Sequence, residues 1–87
     1  MNFLELNHVA LHVKDVDKSC EFYEKVLQLK KIPRPAFKFP GAWYLLGKVQ
    51  ELHLIGGRDA ATNSHSRGNH YALMIDNMDE WESYFRD

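Results

Sequence analysis

Apolar and polar residues alternate from Phe3 to Val13, with Val9, Leu11 and Val13 on one side and His8, Ala10 and His12 on the other. That period of two predicts a strand with one face against a core. An acidic turn, Asp15 to Asp17, follows, and Asp17 is a fitting N-cap for a helix reaching about Leu27. Val16, Cys20, Tyr23 and Leu27 then fall on one stripe, widened by Val26, as a helix lying on a sheet requires. Lys30 to Ile32 reads as a short edge strand, limited by Pro33 and Pro35, which remove ladder donors. After a turn at Pro40 and Gly41, Ala42 to Leu46 and Gln50 to Ile55 read as two strands joined across Gly47 and Lys48. Gly56 to Gly68 has no apolar period and reads as an exposed connecting segment, with His65 as one of its surface residues.

The pattern then restarts. Tyr71, Leu73 and Ile75 alternate with His70, Ala72 and Met74, and Met78, Trp81 and Phe85 form a second helical stripe. Laid without gaps, NHVALHVKDVDKSCEFY (Asn7 to Tyr23) matches NHYALMIDNMDEWESYF (Asn69 to Phe85) at Asn7/Asn69, His8/His70, Ala10/Ala72, Leu11/Leu73 and Asp17/Asp79. Near-equivalents add Val13/Ile75, Asp15/Asn77, Val16/Met78, Phe22/Tyr84 and Tyr23/Phe85. Ordinary residue frequencies would supply roughly one identity in such a window. An internal repeat of this kind governs the fold. The expectation is an α+β domain in which residues 1–55 form a βαβββ module, 56–68 connect, and 69–87 begin a second module by its strand and helix.

Composition narrows the classes. A chain of 87 residues allows one small domain, which buries only about 60 to 65% of its unfolded surface. The formal net charge of -1 gives no electrostatic reason to expect nucleic acid or a membrane surface as partner. No apolar run approaches the roughly 18 residues of a spanning helix, and MNFLELNH lacks the basic and apolar regions of a signal peptide. Cys20 is the only cysteine, so no internal disulfide forms, and its place in the helical stripe marks it as a small buried hydrophobe. The expected location is cytoplasmic.

The candidate chemistry lies on the helix-free face of the strands. His8 and His12 would be a metal-binding pair on a helix, but on a strand rising about 3.3 Å per residue they stand about 13 Å apart and cannot share one ion. His8 and His70 hold equivalent positions in the repeat, so two similar units meeting about a local two-fold axis would bring both imidazoles to one ion. The competing reading is structural, each histidine filling the sheet interior and bonding to a neighbour. Glu51 and His53 are two apart on one strand and share a face. Phe37, Phe39, Trp43 and Tyr44 are candidates to line a pocket or to fill the core, and Arg34 beside them is a candidate contact for an anionic substrate group.

NHVALHVKDVDKSCEFYEKVLQL paired with a later GNHYALMIDNMDEW, around a hairpin carrying ELHLIGG, resembles the vicinal oxygen chelate superfamily. That group includes glyoxalases, fosfomycin-resistance thiol transferases, methylmalonyl-CoA epimerases, extradiol dioxygenases and metal-free bleomycin-resistance proteins. The resemblance implies paired βαβββ modules whose sheets curl around a cavity, with metal ligands on the first and last strands of the modules. By matching motif, the implied metal ligands are His8, His70 and either His53 or Glu51, of which HLIGG favours His53. The implied cofactor is a divalent ion (zinc, nickel, manganese or iron), and the implied activity is lyase or isomerase chemistry on a small oxygenated molecule, with Glu51 as the proton-transferring carboxylate. A thiol transferase of the fosfomycin-resistance type and a metal-free binding or sequestration module of the bleomycin-resistance type are the alternatives. Metal-dependent relatives also take a glutamate from the last strand of the second module, which lies beyond Asp87; the open explanations are a fragment, an identical chain that supplies the strands by association or swapping, and a site that works without that ligand. An unfinished sheet exposes an edge and an apolar face, so a homodimer is expected, by association or by strand exchange.

Overall fold

The computed structural model describes residues 1–59 and 70–87. Its centre is a four-stranded mixed sheet in the order β1-β4-β3-β2, formed by β1 (His8–His12), β2 (Lys31–Ile32), β3 (Gly41–Leu46) and β4 (Gln50–Ile55). β1 runs parallel to β4, and the other two pairings are antiparallel. The β3–β4 register places Tyr44 opposite Leu52 and Ala42 opposite Leu54. These four side chains are the buried core, with Val9, Leu11, Val13, Cys20, Tyr23, Leu29 and Leu46 packed around them. Because strand side chains alternate, the same register sends Trp43, His53 and Glu51 to the opposite face, and a slip of one residue would exchange the two sets. Burial of Leu52 and Leu54, both 0% exposed, contributes about 1.5 to 3 kcal/mol each and holds the register in place.

Helix α1 (Val16–Glu21) covers the core face and continues into a π-helical segment, Phe22–Val26. Its cap is Asp15, not Asp17: the Asp15 carboxylate accepts from the Lys18 amide at 3.1 Å, in extended backbone geometry. Asp17 instead sits in the first turn, where a negative charge suits the positive end of the helix dipole. The segment ends over Gln28, whose φ of 59° is the left-handed conformation, as the Leu29 amide donates back to the Tyr23 carbonyl at 2.9 Å. The buried Tyr44 hydroxyl donates to Glu24 on this segment at 2.8 Å. Gly47, with a φ of 70°, turns the chain between β3 and β4, a conformation that side chains resist.

Helix α2 (Met78–Arg86) repeats the start of α1 at the level of hydrogen bonds. Asn77, the counterpart of Asp15, caps it in the same extended geometry by accepting from the Glu80 amide at 3.0 Å. The helix docks on the first unit through Tyr84, whose hydroxyl donates to the Val26 carbonyl at 2.8 Å and lies 3.2 Å from that of Lys25. These are carbonyls that a helix end leaves without an internal partner.

Two sequence expectations shift. β1 begins at His8 rather than Phe3, because its parallel partner begins at Gln50 and offers no ladder further back. Residues 70–75 form no strand among the described residues. Alternation alone does not make a strand, since the ladder needs a partner edge, and the described sheet pairs only β1 to β4. The connecting segment expected at 56–68, with His65, lies largely outside the described residues, as does Asn69. Among the described residues no helix is long and apolar enough to cross a membrane.

Candidate active site on the open face of the sheet

Four of the candidate side chains, His8, Trp43, Glu51 and His53, meet on the face turned away from α1. Trp43 and His53 are direct cross-strand partners, and their rings stack with centroids 3.9 Å apart at an interplanar angle of 3°. His8 lies diagonally across β1, since His8 pairs with Glu51 and Ala10 with His53. The small Ala10 leaves the space above it to the rings, and His8 stacks on the other face of His53 at 4.2 Å and 18°. His53 is thus clamped between an indole and an imidazole, with only 13% of its side chain exposed.

Hydrogen bonds fix both imidazoles. His53 donates from Nε2 to Glu51 Oε1 at 2.8 Å, so one strand supplies both members of a hydrogen-bonded pair. His8 donates from Nδ1 to Asn7 Oδ1 at 2.8 Å, which leaves the lone pair on its Nε2, the form of a neutral imidazole that can bind a metal or take a proton. The sequence alone does not single out Asn7 as an orienting residue, although the Asn-His doublet occurs in both copies of the repeat. Trp43 is a sequence candidate for pocket or core, and its stacking follows only from the hairpin register.

The structure therefore brings His8, His53 and Glu51 together. Among the described residues no group of three or more His, Cys, Asp or Glu side chains is arranged to hold a metal ion, the His8, His53 and Glu51 trio included, and His70 does not complete one. His12 points to the same face at the far end of β1, opposite Ile55. By donor type alone, imidazole nitrogens and a carboxylate suit zinc, nickel, manganese and iron. As arranged, though, the two rings are face to face and Glu51 is engaged by His53.

Away from this face, two tyrosines titrate unusually. Burial, followed by the neighbouring Tyr71 hydroxyl 3.4 Å away, pushes the Tyr23 hydroxyl well above its ordinary range. Burial does the same to Tyr44, reinforced by Cys20 and Glu24. Both are held in the neutral form by their surroundings.

Residues 5–87 match the family model described as Glyoxalase/Bleomycin resistance protein/Dioxygenase superfamily. The chain belongs to this superfamily. Among curated glyoxalase-superfamily relatives, "Glyoxylase I 4" of Arabidopsis thaliana is 32% identical over 84 residues, covering 90% of this chain and 48% of the relative. The chain spans about half the length of the curated relative it matches. A putative glyoxalase family protein from Bacillus anthracis has the same fold, with a TM-score of 0.82 at 21% identity over 99% of this chain and 71% of the other. Lactoylglutathione lyase from Agrobacterium tumefaciens superposes with a TM-score of 0.64 at 22% identity, over 94% of this chain and 68% of that enzyme. These two likenesses bear on the fold alone, an α+β arrangement of a four-stranded mixed sheet and two helices.

Proposed function

We propose that the chain is a glyoxalase-like, divalent-metal-dependent enzyme acting on a small oxygenated substrate by lyase or isomerase chemistry. His8, His53 and His70 would hold the ion, with Glu51 as the proton carrier. The observation that supports this most is the Glu51–His53 hydrogen bond clamped between Trp43 and His8 on the open face. A bound divalent ion would supply Lewis acidity toward adjacent substrate oxygens. Glu51 is placed to exchange a proton at His53 Nε2, and Trp43 holds the imidazole plane while it does so. Asn7 keeps His8 in the tautomer with an open Nε2. For His53 Nε2 to accept another partner its proton must leave, so ion uptake and proton release are linked at this pair. His70 of a second copy is the proposed source of the third imidazole, in a homodimer formed by association or strand exchange.

Metal analysis of untagged protein, with lactoylglutathione as test substrate, examines this reading. The expected result is a stoichiometric divalent ion, turnover, and loss of both in His8→Ala, with Glu51→Gln losing turnover. No ion, together with metal uptake unchanged in His8→Ala and His70→Ala, would contradict it. The run of Phe37, Phe39 and Trp43 along one edge of the face favours a second reading, a metal-free small-molecule binding module. Ligand affinity that is indifferent to chelators would select that one.

A further inference from the structure

A cavity of about 1120 Å³ opens at one end of the sheet, between the turn from β1 to α1 and the segment that links β2 to β3. Lys14, Lys18, Arg34 and Lys38 line it together with Phe37 and Phe39. Asp15 and Asp17 are also on its wall, and the Asp15 carboxylate is engaged by the Lys18 amide. Four cations thus face two carboxylates, a local positive excess in a chain whose net charge is -1.

Arg34 is the built part of this wall. Its Nη2 donates to the Phe39 carbonyl at 2.8 Å. Its guanidinium carbon lies 5.0 Å from the Phe37 ring centroid and 5.1 Å from that of Phe39, within cation–π range of both. It rests over Gly41, where an added Cβ would stand 3.0 Å from Nη2 and 2.4 Å from the Leu54 carbonyl oxygen. Arg34 Nε is buried without a hydrogen-bond partner among the described residues. A held guanidinium with donors to spare suits an oxyanion, which accepts charge-assisted bonds from it. Phe37 continues the wall to Trp43, with ring centroids 6.3 Å apart, and Trp43 stacks on His53. The cavity and the open-face cluster are therefore joined by one aromatic run.

We infer that this cavity binds the anionic end of a small organic acid, its carboxylate at Arg34 within the field of the three lysines and its apolar portion on Phe37 and Phe39. Only the further step, that the acid is the substrate of the His8–His53–Glu51 face, rests on the proposed function. Binding is read without turnover, so either can fail while the other stands.

Phenylacetate titrated into the full chain, followed by backbone amide resonances, tests the assignment. Shifts should concentrate in residues 14–18 and 34–41, with a dissociation constant of about 1 mM or tighter. Binding should weaken about tenfold in Arg34→Gln, as expected for a lost charge-assisted bond. It should also weaken in the Lys14→Gln/Lys38→Gln pair, which leaves the Arg34–Phe39 anchor intact. Neutral phenylacetamide should bind far more weakly than phenylacetate, and inorganic phosphate more weakly because it lacks the apolar part. Phenylacetamide binding as well as the acid, phosphate binding as tightly, shifts lying elsewhere, or affinity unchanged in both variants would each overturn the inference.

Discussion

Removing the His53 ring is the sharpest perturbation of the open face. His53→Ala deletes two stacked contacts, at 3.9 Å to Trp43 and 4.2 Å to His8, and the 2.8 Å bond to Glu51. Stacked aromatic pairs are worth about 0.5 to 1.5 kcal/mol each. The hydrogen bond adds about 1 kcal/mol, below the charged range of about 1.5 to 3 kcal/mol because the Glu51 side chain is 31% exposed. These terms share one ring and do not add fully, so a loss of about 2 to 3 kcal/mol is expected. A chain of this size has a total stability on the order of 4 to 13 kcal/mol, so the loss is substantial without abolishing the fold. It corresponds to a melting temperature lower by roughly 10 to 20 °C. Thermal unfolding by circular dichroism reads it, and Trp43 emission in a Trp81→Phe background reports the stack directly. His12→Ala is the control on the same face and should change stability by less than about 0.5 kcal/mol. Equal melting temperatures for the His53 and His12 variants would refute the clamped-ring description.

Other expectations are smaller in scope. Gln28→Gly should stabilise by about 0.5 to 1 kcal/mol in denaturant titrations, because a φ of 59° strains a side chain that glycine lacks; a destabilised variant would count against the left-handed helix end. The hydroxyls of Tyr23 and Tyr44 have folded-state pKa values raised above the unfolded value of about 10. Their contribution is therefore fully present below about pH 10 and is lost as pH rises toward the folded values, because the unfolded chain ionises first. Stability should fall on the alkaline side of pH 10, and Tyr44→Phe should flatten that limb; an unchanged slope would contradict the burial of this hydroxyl.

How much of this was legible beforehand depends on whether an element needs a distant partner. Gln50 to Ile55 was readable as a strand from composition and alternation alone, and it forms over those residues. The repeat was readable too, and it survives in the matched caps, Asp15 on Lys18 and Asn77 on Glu80. The strand expected at 70–75 was not secured by its own alternation, since nothing in a local pattern says whether a partner edge exists. The cap moved from Asp17 to Asp15 because two acidic residues two apart offer the helix alternative starts, and only side-chain geometry chooses between them. In the candidate site, Glu51 and His53 were paired by strand periodicity. Their neighbours Trp43 and His8 came from register across two separate ladders, one antiparallel and one parallel.

A zinc titration followed through the imidazole nitrogens by NMR, with all histidines observed at once, tests the proposed metal site most directly. His8 Nε2, the His53 ring and His70 are expected to respond first, with loss of the Glu51–His53 hydrogen bond, while His12 on the same strand as His8 stays unperturbed. Response of His12 alongside His8 and His53, or no response from the latter two at stoichiometric zinc, would contradict it.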